Sequence, residues 1–185
     1  MKKILLALFV LLSITAGAKS HVDARYLAGA VPEENGMVVF RKSFSVQGKS
    51  QEEVFSGMND FVTQELVGKA IEGLRTRVIS NSQEDGLVVA RVEAYMVFKN
   101  KPLYLDRTRF RYQVSVKVTG NRVDMELSQL SYYYGEQTDG TKGENYKAEE
   151  WISDKAAITK AGNKLYPRSG KFRIKTVDRA AEIRS

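Results

Sequence analysis

The chain has 185 residues, 28% of them charged, with a formal net charge of +7 and no cysteine. The lack of cysteine excludes disulfide staples, zinc–thiolate sites, thiol catalysis and thiol redox chemistry, and with them the lipid anchor that exported bacterial proteins carry on a cysteine. The modest basic excess favours weak contact with anionic envelope material such as acidic glycans or lipid headgroups, but a solubilising surface is the plainer reading of it.

Lys2 and Lys3, the apolar run from Ile4 to Ile14 broken only by Ser13, and the small residues Ala16-Gly17-Ala18 form the pattern of a secretory signal peptide over residues 1–18. The run is shorter than the roughly 20 apolar residues of a membrane span, and no second one follows. The mature chain is therefore expected to begin near Lys19, to carry no transmembrane segment, and to be soluble in the periplasm or outside the cell. Removing 18 of the 185 residues, among them Lys2 and Lys3, leaves 167 with a net charge of +5, enough for one domain with a proper core. Export sets aside nucleotide-driven and genome-directed functions, so no nucleic-acid partner is expected.

Residues 19–35 read as a leader with little regular structure, ending at the turn signal Glu33-Glu34-Asn35-Gly36, and residues 36–185 read as the domain. From Met37 to Val46 the apolar side chains Val38, Phe40, Phe44 and Val46 keep a period of two, which predicts a strand stopped by Gly48. Ser50-Gln51-Glu52-Glu53 is a capping box, in which the Ser50 hydroxyl and the Glu53 carboxylate each satisfy a backbone amide of the first turn. The helix it opens carries Val54, Phe55, Met58, Phe61, Val62 and Leu66 on one stripe and ends at Gly68.

The middle of the chain reads as β structure. Thr76 to Ser82 and Leu87 to Phe98 flank a hairpin loop, Gln83-Glu84-Asp85-Gly86. Phe110, Tyr112, Val114, Val116 and Val118 then alternate with Arg109, Arg111, Gln113, Ser115 and Lys117 before Gly120-Asn121 turns the chain into Val123, Met125 and Leu127. A two-residue turn there sets Lys117 opposite Asp124, Ser115 opposite Glu126, and Val116 against Met125 on the inner face. Beyond Leu127 the alternation slips. Either a bulge near Ser128 turns the later residues inward, or Tyr132 and Tyr134 stay on the outer face beside Arg109 and Arg107. Gly135 to Asn145 reads as a loop, Glu149 to Ile152 as a short helical turn anchored by Trp151, and Lys171 to Arg184 as a final helix with Ile174, Val177 and Ala181 on one face. The expected fold is α+β, in the order β-α-β-β-β-β-α, with a mainly antiparallel sheet and the helices on one side.

No catalytic, metal or cofactor motif stands out. Gly48-Lys49-Ser50 resembles the end of a phosphate-binding loop, but Ser43 occupies the position of the required first glycine. His21 is the only histidine and lies in the leader, which leaves a catalytic triad or a histidine metal site without a fixed residue. Asp139 to Glu144 lacks the alternating acidic positions of a calcium loop. Glu149-Glu150 beside Trp151 is the most suggestive carboxylate pair for hydrolysis, yet adjacent residues are expected to point apart, and the pair also suits the acidic first turn of a helix.

Four segments, residues 25–40, 105–113, 147–157 and 162–178, resemble a family of exported Gram-negative bacterial domains of unknown function with a TBP-like fold. Trp151 and the stretch from Lys164 to Lys171 are the most distinctive matches. The resemblance implies a curved antiparallel sheet backed by helices, and it carries no catalytic or binding residues across. The functional expectation therefore rests on the outer sheet face, where Arg107, Arg109 and Arg111 lie on one strand. In the unbulged register Tyr132 and Tyr134 stand across from them, with Tyr95 nearby. Guanidinium groups over aromatic rings suit an anionic glycan or an envelope protein, or they simply stabilise the face from within. The leading expectation is a non-enzymatic exported binding module that needs no cofactor. The alternative is a hydrolase acting on cell-envelope material.

Overall fold

A computed structural model describes residues 22–136 and 140–185. The signal segment, His21 and Asp139 lie outside the described residues.

After one turn of 3-10 helix at Ala24–Tyr26 come β1 (Glu33–Glu34), β2 (Met37–Val38) and β3 (Phe40–Ser45). The Ser50 capping box then opens α1 (Gln51–Asp60), whose axis continues as π-helical turns over Phe61–Val67 to Gly68. Four strands follow: β4 (Arg77–Ser82), β5 (Leu87–Lys101), β6 (Tyr104–Thr119) and β7 (Arg122–Tyr134). The chain closes with β8 (Glu144–Lys147), α2 (Ala148–Trp151), α3 (Asp154–Ala157) and α4 (Pro167–Ile183).

The sheet runs β3-β7-β6-β5-β4, every pair antiparallel, with β8 beside the far half of β7. This is the expected α+β architecture, with β8 added, its first two residues, Glu144 and Asn145, lying in the stretch read as a loop. The β6–β7 register is the expected one near the turn: Lys117 faces Asp124, Ser115 faces Glu126 and Val116 faces Met125. Val88, Ala90, Val114, Val116 and Val123 are fully buried beneath Val54, Phe55, Val62 and Leu66 of the first helix and Phe172, Ala180 and Ile183 of α4.

At the N-terminus, the segment read as a leader holds only one helical turn and the two-residue β1, yet it is anchored to the domain: Tyr26 and Val31 are buried, and Tyr26 donates its hydroxyl to Asp178 Oδ1 of α4 at 2.8 Å. At the C-terminus, the face expected of the final helix is corrected. The inward face of α4 is Phe172, Arg173, Thr176, Ala180 and Ile183, while Ala181 is exposed and Ile174 half-buried. A helix does not normally bury an arginine, and this one is buried because every donor direction it uses is met. The Arg173 guanidinium, 0% exposed, donates to the carbonyls of Tyr26 and Leu27 at 2.5 Å, to the Ile152 carbonyl at 2.6 Å and to Asp154 Oδ1 at 2.6 Å. One side chain thus ties the N-terminal segment, α2 and α3 to α4. Gly170 lies inside the helix, where an added Cβ would come within 2.6 Å of the Leu165 Cβ.

Two substitutions test this account. Val116→Asp places an unpaired carboxylate at a fully buried position and is expected to unfold the domain; a melt like the parent's would mean the register is wrong. Arg173→Met keeps the bulk but strands three carbonyls and a carboxylate, and urea titration should register a loss of about 3–5 kcal/mol.

Candidate binding face

The face of the sheet away from the helices is lined by the odd-numbered residues of β6, because its even-numbered residues, from Asp106 to Val118, are buried. Cross-strand pairing then fixes the neighbours. Arg107 pairs with Val97, Arg109 lies between Tyr95 of β5 and Tyr133 of β7, and Arg111 lies between Glu93 and Ser131. Beyond β7 the same rows continue to Asn145 and Lys147 of β8.

The identity of the tyrosine in this row is decided by a bulge. Arg111 pairs with Ser131 but Gln113 pairs with Ser128, so Gln129 and Leu130 together oppose Tyr112. Gln129 takes the left-handed conformation at φ 53° and is exposed, with its Oε1 accepting from Arg91 at 2.7 Å. The extra residue inverts the alternation. Tyr132 and Tyr134, expected opposite Arg109 and Arg107 if no bulge formed, are turned to the helix side. Tyr132 is fully buried, stacked on Phe110 and hydrogen-bonded to Thr176 of α4 at 2.7 Å, and burial pushes its hydroxyl pKa up. Tyr134 sits in a ring cluster with Phe98, Trp151 and Phe172 and donates to Asp106 at 2.9 Å. Tyr133 takes the outer position instead, half-buried, with Arg109 5.6 Å and Arg111 5.4 Å from its ring centre. The sequence did contain the signal for Tyr133, in the continued alternation that moves one residue at the slip.

The three arginines are not equivalent. Arg107 stacks on Tyr95 with its Cζ 3.8 Å from the ring centre, and no carboxylate pairs with it among the described residues. Arg109 is matched by Glu136, through a 2.9 Å bond from Nε and a second, shorter contact. Arg111 donates to Glu93 Oε1 at 2.7 Å and to Asn145 Oδ1 at 3.0 Å. Burial raises the Glu93 pKa, but the Arg75 amide at 2.7 Å and the Arg111 guanidinium outweigh it and hold the carboxyl below the usual range. Among the described residues the cations on this face without a carboxylate partner include Arg107, Arg91, Arg77, Lys117 and Lys147, whereas Arg109 and Arg111 are paired.

Glu149 and Glu150 both border one open cleft of about 500 Å³ with Met37, Gln129, Leu130 and Lys147, but their carboxylates go to different partners. Glu149 accepts the Val38 amide at 2.7 Å and Glu150 the Lys147 amide at 3.5 Å, so both carboxylates serve the backbone. The two buried carboxylates among the described residues, Glu93 and Asp106, are each paired with a cation, Arg111 and Lys171. Among the described residues no group of three or more histidine, cysteine, aspartate or glutamate side chains is placed to hold a metal, and no helix is long and apolar enough to cross a membrane.

A mainly antiparallel sheet with the described helices on one face defines an α+β domain of TBP-like fold. Residues 40–133 match the family described as a domain of unknown function (DUF4468) with TBP-like fold, and the chain belongs to that family. A solved DUF4468 family protein from Bacteroides ovatus ATCC 8483 is 36% identical, with a TM-score of 0.78 over 88% of this chain and 90% of that one. A solved TBP-like protein from Parabacteroides distasonis ATCC 8503, 20% identical, shares the fold with a TM-score of 0.64 over 83% of this chain and 92% of its own. No curated protein matches the chain.

Neighbouring tyrosines should behave oppositely if the bulge is right. Tyr132→Ala is expected to cost about 3–5 kcal/mol in urea titration, as large-to-small changes in a core do, whereas Tyr133→Ala should cost no more than about 1 kcal/mol. Acid titration tests Glu93. Its folded pKa is depressed, so its stabilisation is complete above the unfolded value of about 4.3 and is lost as pH falls through the lower folded value. The parent's stability should therefore fall more steeply below about pH 4.3 than that of Glu93→Gln, and parallel acid profiles would count against the ion pair.

Proposed function

We propose that the chain is an exported, non-enzymatic binding module and that the uncovered sheet face takes an anionic partner from the cell envelope, an acidic glycan being the best chemical match. The observation that carries the reading is the pairing of Arg107 with Tyr95, and of Arg109 and Arg111 with Tyr133, on a face that none of the described helices covers. Aromatic rings offer flat apolar area to a sugar while guanidinium groups bind carboxylate or sulfate oxygens. Glu93, Glu136 and Asn145 hold Arg109 and Arg111 in place, which reduces the side-chain ordering that binding would otherwise require. The cations without a carboxylate partner among the described residues provide the long-range attraction. Commitment of Glu149 and Glu150 to backbone amides favours this reading over hydrolysis. The basic and apolar start of the sequence supports export.

The test replaces Arg107 and Tyr133 together by alanine. The double variant should melt within about 2 kcal/mol of the parent, since both side chains are at the surface, and should lose retention on an immobilised acidic polysaccharide. Retention of the parent should weaken as salt rises. Unchanged retention by the folded double variant would refute the assignment of this face. For export, N-terminal sequencing of the protein recovered from its native host should begin near Lys19; recovery with Met1 intact would contradict it.

A further inference from the structure

The β5–β6 hairpin runs past the rest of the sheet. β4 pairs with β5 only as far as Arg91, and the contacts of α4 nearest the hairpin tip are those at Phe98 and Asp106, through Phe172 at 4.5 Å and Lys171 at 2.6 Å. Beyond them residues 99–105 are all exposed. Val97, Leu103, Tyr104 and Leu105 in this arm are 40%, 108%, 54% and 50% exposed, four of the eight large hydrophobic side chains exposed on the described residues. Such clustering at the end of a projecting element marks a contact surface, whereas scattered exposed leucines do not.

The turn itself supports this. Lys101 pairs with Tyr104 across Pro102 and Leu103, and Leu103 has φ 64°, the left-handed position where such a turn takes glycine or asparagine without strain. A leucine there serves neither the turn nor the core.

The surrounding charge selects the partner. Lys99 and Lys101 flank the tip and form no ion pair among the described residues, while Asp106, the only acid between residues 97 and 107, is buried against Lys171. We propose that this tip docks on an anionic lipid surface, with Leu103, Tyr104 and Leu105 entering the headgroup–acyl boundary and the two ammonium groups meeting lipid phosphates. Lysine stems are long enough to let the charge stay among headgroups while the neighbouring apolar groups go deeper, and tyrosine favours that interface. A second copy docking tip to tip would bring the same lysines together, which like-charge repulsion opposes. The inference rests on a different observation from the sheet-face reading and stands or falls separately.

The absence of cysteine allows a clean test in the full chain. Leu105→Cys, and separately the exposed Asn163→Cys, would carry a polarity-sensitive fluorophore, with vesicles of phosphatidylglycerol and phosphatidylcholine as the probe. The dye at position 105 should shift to the blue and be quenched by nitroxide-bearing lipid, and the dye at 163 should not, so contact by any other segment is told apart from contact by the tip. Lys99→Glu with Lys101→Glu, and Leu103→Asp alone, should each weaken the response at 105 at least ten-fold, while Tyr133→Ala leaves it unchanged. Phosphatidylcholine alone should give little response, and inorganic phosphate none. The proposal is overturned by no shift at 105 on anionic vesicles, by equal shifts at 105 and 163, by an undiminished response in both tip variants, or by a shift that grows with protein concentration without lipid, which would make the partner a second copy.

Discussion

A single surplus residue in β7 sets the chemistry of both faces of this sheet. With Gln129 and Leu130 opposing Tyr112, the strand leaves the bulge with its alternation reversed, and three consecutive tyrosines are sorted by it. Tyr132 and Tyr134 enter a ring cluster with Phe98, Phe110, Trp151 and Phe172, the contact on which α2 and α4 seat. Tyr133 goes to the opposite face between Arg109 and Arg111. Without the extra residue the core would receive Ser131 and Tyr133 in place of two packed rings. Residues in left-handed conformations cost of order 1 kcal/mol, and the aromatic packing gained through Gln129 exceeds that.

The helix that covers the ring cluster is fixed from its other side by Arg173. Burying a guanidinium costs several kcal/mol unless its donors are met, and here three carbonyls and Asp154 meet them. The consequence is geometric: those carbonyls belong to Tyr26, Leu27 and Ile152, so segments far apart in sequence must converge on one point before the arginine can be buried. The aromatic seat and the arginine hub together hold α2, α3 and α4 on one side. The other face is left to side chains that order one another, Glu93 and Asn145 holding Arg111, and Glu136 holding Arg109. On the proposed reading such a surface would take an anion by shape and residual charge, since most of its Coulombic attraction is already satisfied internally.

Much of this was legible in the sequence where two independent signals coincide. The Ser50 capping box preceded an apolar stripe, and the β6–β7 turn combined Gly120-Asn121 with alternation and with opposite charges at Lys117 and Asp124. The bulge was visible only as a slip. Ser128-Gln129-Leu130-Ser131 fits either parity, because a lone leucine among polar residues does not say which face is buried; the choice is made by the packing of Tyr132 on Phe110 and α4, a tertiary matter. Arg173 could not be read as core, since a charged residue on a helix normally points to water and its partners lie some 20 and 147 positions away in sequence. The strand β8 was hidden in a polar glycine-bearing stretch for the same reason: it pairs along an edge that β3 leaves open, not through any apolar pattern of its own. The three arginines on β6 were placed on the correct face by alternation alone, and only the tyrosine beside them changed.

The register of β6 against β7 is the central claim, and nuclear Overhauser contacts between backbone protons across these strands measure it directly. The bulged sheet predicts that Phe110 is paired with Tyr132 and Arg109 with Tyr133, while Val116 remains paired with Met125. Contacts joining Arg109 to Tyr132 and Phe110 to Ser131 would show an unbroken register, return Tyr132 to the outer face, and contradict the account.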